Sequence, residues 1–140
     1  MVEATACAAV LGGAPSTLYA AARSGRPEQA VHQGLDATTR IGVLLPPFRP
    51  GLVRGVTAHL LISAMAGAVL ARWLPRRHSR AYGAAAGLAM GWCNLVLVGR
   101  RIPAIAELPL GPQLADNVAF GVAFAAVADR PFAEGRGGLI

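Results

Sequence analysis

Four apolar runs, each close to the length of a membrane span, limit what this chain can fold into: Ala4 to Ala22, Leu52 to Leu74, Ala81 to Gly99 and Leu110 to Ala128. A helix needs about 20 apolar residues to cross the roughly 30 Å hydrocarbon core of a bilayer. Backbone polar groups in that core must be satisfied within the segment, so the expected form is helical. Charge is too scarce to coat a globule: 14% of the residues are charged and 54% apolar, against about 25% charged in ordinary soluble domains. The pattern predicts an all-α chain, an integral membrane four-helix bundle, with residues 1–140 forming a single transmembrane domain of spans near 4–22, 52–74, 81–99 and 110–128.

The third run carries no charge and is the clearest of the four. The second contains Arg54, His59 and Arg72, with both arginines near its ends, where a long side chain reaches the interface. The fourth is continuously apolar only from Val118 to Ala128. No basic residue precedes the first run, so a cleaved signal peptide is not expected. That run holds "GGAPST" at its middle, and Pro15 removes a backbone donor while clashing with the preceding turn, which predicts a kink near Gly12 to Pro15.

Between the first two runs lie 29 residues, more than a turn requires. Pro27 and Glu28 suit a helix start, Asp36 and Arg40 make an i,i+4 ion pair, and Val31, Leu35 and Leu45 fall near the helical period. An amphipathic helix on the membrane surface is expected there.

The net charge of +6 and sequence pI near 11.0 raise the question of nucleic acid, but that partner needs a basic face on a soluble fold. Here the arginines sit between apolar runs, as charges flanking membrane spans do, so the partner read from charge is the lipid bilayer. An amino terminus on the inside leaves Arg72, Arg76, Arg77, Arg80, Arg130 and Arg136 there, against Arg23, Arg26, Arg40, Arg49, Arg54, Arg100 and Arg101 opposite. The totals nearly balance, and the short basic turn "PRRHSR" tips the orientation toward that arrangement. All thirteen basic residues are Arg, which reads as the codon bias of a GC-rich bacterial genome and places the chain in a bacterial cytoplasmic membrane. Without lysine there is no internal aldimine and no phosphate-loop lysine.

Helices in lipid approach closely where small residues let their backbones meet. The second run shows Gly55, His59, Ser63, Gly67 and Ala71 at every fourth position, the third Gly83, Gly87 and Gly91, and the fourth Gln113, Asn117, Gly121 and Ala125. Such stripes predict small-residue helix packing, with Gly83, Gly87 and Gly91 available for a contact outside the chain.

Up-and-down threading brings the end of the first run, the start of the second, the end of the third and the start of the fourth to one membrane face. At 1.5 Å per residue, Ser16, Thr17, His59, Asn94, Asp116 and Asn117 all fall roughly 4 to 10 Å inside it. The polar residues thus form one layer, in which Arg54, His59 or Asn94 would neutralise Asp116. Arg26 to Pro47 and the loop Ile102 to Pro112 would partly cover that layer. The opposite half has little polar beyond Thr5 and Cys7, and Cys7 and Cys93 lie too far apart for a disulfide.

An ionisable group inside a span invites a functional reading, a proton relay or cation site at Asp116 and His59, with Ser16 and Thr17 opening a half-helix suited to anions. The structural alternative is that Asp116 rests on the dipole of its own first turns and its neighbours fix helix register. Catalytic templates are missing: there is no CxxC, HExxH or phosphate loop, so no metal and no cofactor is implied. Ser63 and His59 with Asp116 match a triad in residue type only, without an oxyanion hole, and the chain does not read as an enzyme.

The segments "TAHLLISAMAGAVLARWLPRR", "GRRIPAIAELPLGPQLADNVAFG" and "GGAPSTLYA" resemble a group of short bacterial multi-pass membrane proteins to which no activity is assigned. The resemblance implies the multi-pass topology and carries over no catalytic residue. Where it leads one to look for a histidine after the aspartate, this chain has Asn117, which speaks against a paired metal site. The expected role is a structural or accessory membrane subunit, forming a homo-oligomer or joining a larger complex. The alternative is a small transporter or permeation unit built on Asp116 and His59.

Overall fold

The computed structural model describes residues 2–100, 103–106 and 109–129, which are helical with no strand among them. In chain order the elements are α1 (Val2–Gly12), α2 (Ala14–Ser24), α3 (Pro27–Ile41), a 3-10 turn (Gly42–Leu44), α4 (Leu52–Trp73), α5 (Ser79–Cys93), a π-helical turn (Asn94–Val98), α6 (Pro103–Ala106) and α7 (Leu110–Ala128). Two of these helices, α4 and α7, are long and apolar enough to cross a membrane. The remainder of the loop at 101–102 and 107–108, and Arg130 and Arg136, lie outside the described residues.

The first apolar run breaks at Gly13, within the stretch where a kink is expected, into two helices of 11 residues each. Pro15 leaves the carbonyl a turn before it without its helical donor, and Gly12 and Gly13 hold the helix weakly. The chain therefore restarts at Ala14. The hydroxyls of Ser16 and Thr17 donate to the Gly13 carbonyl at 3.1 and 2.9 Å, which satisfies the break locally. At 1.5 Å per residue each helix is roughly 16 Å long, about half a bilayer core. Gly25 ends α2 in the left-handed region, φ 63°, with its N–H on the Ala21 carbonyl.

Helix α3 begins on Pro27 as expected, and the Arg40 Nε donates to Asp36 Oδ2 at 2.9 Å. It stops at Ile41, so Leu45 does not extend its apolar face. Gly34, at mid-helix, has open space where a Cβ would be. Gly34→Ala should therefore raise stability by up to about 1 kcal/mol, the helix-propensity difference, read as a higher unfolding midpoint in detergent.

The third apolar run is also shorter as a regular helix than its hydropathy implies. Helix α5 covers 15 residues, after which the Gly99 N–H bonds back to the Asn94 carbonyl in a widened turn. The fourth run forms α7 without interruption over 19 residues.

Helix α7 lies at the centre, with α1 against one side and α5 against another, both antiparallel to it. Along α5, a Cβ at Gly83 would overlap the Gly121 carbonyl, one at Gly87 the Asn117 carbonyl, and one at Gly91 would crowd Leu114 and Asn117. These glycines thus face α7 within the chain and are not a surface for an outside partner. Along α1, Gly12 meets Phe120, while Ala4 and Ala8 join Leu70, Phe120 and Phe124 in the interior. Helix α4 is held by α3, where Gly55 abuts the Thr38 carbonyl, and by α1, where Gly67 abuts Thr5.

The interior built this way is made of small residues: Ala4, Ala8, Ala20, Ala58, Ala125, Ser63 and Ser79 are buried, with Leu70, Phe120 and Phe124 the only large apolar members among the described residues. Large side chains point outward. Val53 is 81% exposed, Trp73 76%, Met65 70% and Leu18 69%.

Candidate functional site

The residues expected to share a polar layer divide between the two flanks of α7. Neighbours on a helix are turned by about 100°, so Asp116 and Asn117 cannot face the same helix. Asp116 faces the break between α1 and α2. Asn117 faces α5.

Asp116 is the seventh residue of α7 and is half-buried, so it lies beyond the first turn of its own helix. The helix start it serves is that of α2. Its Oδ1 accepts the Ser16 backbone N–H at 2.8 Å. Ser16 is the third residue of α2, one of the donors a helix leaves without an intrahelical acceptor. No side chain of α2's own cap supplies that bond. A carboxylate a hundred residues away caps the helix instead, and its negative charge meets the positive end of the α2 dipole. The acceptor at this helix start is thus a side chain of the chain itself.

The neighbours expected around Asp116 are only partly there. His59 lies within electrostatic reach of it, with Nε2 3.4 Å from the Ala9 carbonyl of α1. Arg54 is not a partner: its Nε and Nη2 donate to the Arg49 and Pro50 carbonyls at 3.1 and 2.7 Å, steadying the entry to α4. Asn94 opens the π-helical turn, one turn past Gly91 on the α5 side, and its backbone carbonyl takes the Gly99 N–H. The Asn117 Nδ2 donates to the Gln113 carbonyl at 2.8 Å. Thr17 is spent on the Gly13 carbonyl, and Ser63 is buried beside a groove between α1 and α4 lined also by Thr5, Ala6 and Ala9.

The opposite end of the bundle is more polar than its sequence implies. Ser79 Oγ donates to Asp129 Oδ2, joining the first residue of α5 to the residue just past α7. Both residues flank apolar runs, and that position was the available signal. A second feature missed by sequence is the crossing of α3 on α4, where a Cβ at Gly42 would collide with Gly51 and the Gly51 N–H bonds to the Thr39 carbonyl at 3.0 Å. Cys7 and Cys93 are free thiols. Among the described residues, no three His, Cys, Asp or Glu side chains converge as metal ligands would.

As chemistry, the arrangement is a clamp. Asp116 fastens the break in the first run to α7, while the glycine face of α5 fastens the other flank. Comparison with protein families, with curated proteins and with solved structures yields no match to this chain.

Proposed function

We propose that this chain is a small integral membrane protein acting as a structural or accessory subunit, in the cytoplasmic membrane of a bacterium. The observation that carries the reading is the inverted sorting of side chains, glycine, alanine and serine within and valine, leucine, methionine and tryptophan without. Lipid tails accept large apolar groups that water would not, and helices in lipid associate through the small residues that let backbones approach. In this reading α4 and α7 are full passes, α5 with its π-helical turn is a third, and the broken pair α1 and α2 is a fourth. Helix α3 lies at the interface, where Val31 and Leu35, 57% and 44% exposed, meet the acyl boundary.

The bond from Ser16 to Asp116 favours architecture over ion transport for the buried carboxylate. Assembly with a second copy or a larger complex falls to the outer face of α4, since α7 occupies the glycine face of α5. The test is extraction. The chain should float with phospholipid vesicles after an alkaline carbonate wash and need detergent for release, and gel filtration in mild detergent should give a mass above that of one chain. A chain that comes free of vesicles in carbonate as a monodisperse monomer defeats the reading.

A further inference from the structure

The end of the bundle where α4 passes into α5 carries Arg72, Arg76, Arg77 and Arg80 in one short stretch, all of them exposed. Arg76 has a partner within the chain. Arg72 lays its guanidinium over the Trp73 ring, 5.6 Å from the centroid, a contact that holds the group and keeps its charge. Among the described residues, Arg77 and Arg80 have no acidic partner. Arg80 also stands in the first turn of α5, where the helix dipole is itself positive and no acid shares the turn. The described acids at this end are Glu3, near the start of α1, and Asp129, just past α7. Asp129 accepts from the buried Ser79 hydroxyl, a bond that ties the arginine-bearing turn to the frame of the bundle. Positive charge is thus in excess on a turn that is held in place.

The other end of the bundle differs. There Arg23, Arg40 and Arg54 donate to the Tyr19 hydroxyl, the Asp36 carboxylate and the Arg49 and Pro50 carbonyls. Arg26, Arg49 and Arg100 lie on three separate segments. Counted by side the arginines nearly balance, but their use within the chain does not. Trp73 and Tyr82 flank the basic turn, 76% and 53% exposed. Amphipathic rings of this kind settle at the headgroup level of a bilayer. An arginine beside them meets phosphate, and an anionic leaflet attracts each such charge until salt screens it.

We propose that this turn is a docking surface for the anionic lipids of one leaflet, with lipid phosphates at Arg72, Arg77 and Arg80 and acyl chains alongside Trp73. The proposal rests on the membrane reading above. The chain's two tryptophans report on it. Trp73 adjoins the basic turn, while Trp92, 57% exposed, stands in the last turn of α5, roughly 20 Å from that helix's start.

The full chain carrying either Trp92→Phe or Trp73→Phe, and so a single tryptophan, is reconstituted in phosphatidylcholine vesicles. Acyl-brominated phosphatidylglycerol or acyl-brominated phosphatidylcholine is added in increasing proportion, and fluorescence quenching gives the relative affinity of the two lipids at each end. Trp73 should prefer the glycerol lipid about fivefold, the scale of one arginine at an anionic surface, and Trp92 by less than about twofold. High salt should shrink the preference. Arg77→Gln with Arg80→Gln should bring the Trp73 preference below about twofold, whereas Arg77→Lys with Arg80→Lys, which keeps both charges, should preserve it. Both positions are exposed, so these variants should fold, as an unchanged far-ultraviolet circular dichroism spectrum would verify.

Equal quenching of Trp73 by the two lipids, or a preference that survives the paired glutamine substitutions, overturns the proposal and turns the basic stretch toward an acidic protein segment. As strong a preference at Trp92 overturns the assignment to this end. Brominated lipid that quenches neither tryptophan defeats the membrane reading itself. Quenching without preference loses only this surface.

Discussion

Gly87→Leu should detach α5 from α7 and lower stability by about 3 kcal/mol or more. A single Cβ at this position already overlaps the Asn117 carbonyl and presses on the Asn117 carbon and the Val118 Cα. Those are backbone atoms, which cannot turn aside as the end of a flexible side chain can. Overpacking a well-packed interior typically costs about 1–3 kcal/mol, and here relief requires one helix to move off the other along their whole glycine face. Gly87→Ala should already show part of the loss. Thermal unfolding in detergent, followed by near-ultraviolet circular dichroism and protease sensitivity of the 74–79 turn, measures it. A midpoint within about 2 °C of wild type for the leucine variant would mean the helices are not apposed as described.

Asp116→Ala should uncap α2 without loosening α5. The lost acceptor leaves the Ser16 N–H without its partner, and removing a side-chain cap costs about 1–2 kcal/mol, reaching about 3 where the acceptor is charged. Hydrogen exchange localises the effect. The Ser16 amide should exchange faster by about 5- to 30-fold for a loss of 1–2 kcal/mol, while amides of α5 keep their protection. Asp116→Asn retains an oxygen in the same place and should recover most of the protection. If alanine and asparagine exchange alike, and both like wild type, Asp116 is not the cap.

Much of this architecture was legible from residues whose effects are local. Pro15 announces an interruption, since its missing donor and fixed φ act within a turn. The depth of the interruption was not legible, because it depends on Asp116, remote in sequence, which makes a second helix start stable. The fourfold spacing of Gly83, Gly87 and Gly91 marked a close approach. A glycine has no side chain to tell which partner comes near, so the spacing leaves the face available to an outside chain, where α7 in fact lies.

Hydropathy misled at two points for one reason: it measures apolar content and not the register of hydrogen bonds. The third run scored well without a charge, yet its last turns widen from Asn94 onward. Arg54 stood near Asp116 by depth, but its guanidinium reaches back to the Arg49 and Pro50 carbonyls, which precede α4 and have no helical donor. The single polar layer divides for the same kind of reason, since depth along a helix says nothing of azimuth, and adjacent residues on α7 look toward different neighbours.

The placement of α7 between α1 and α5 has a consequence for biosynthesis. The ribosome makes α7 after both helices that pack on it, so neither can bury its small-residue face when it first emerges. Until then the nascent chain carries two half-finished contacts and a second helix start awaiting its carboxylate. Completion of the interior waits on the arrival of one segment.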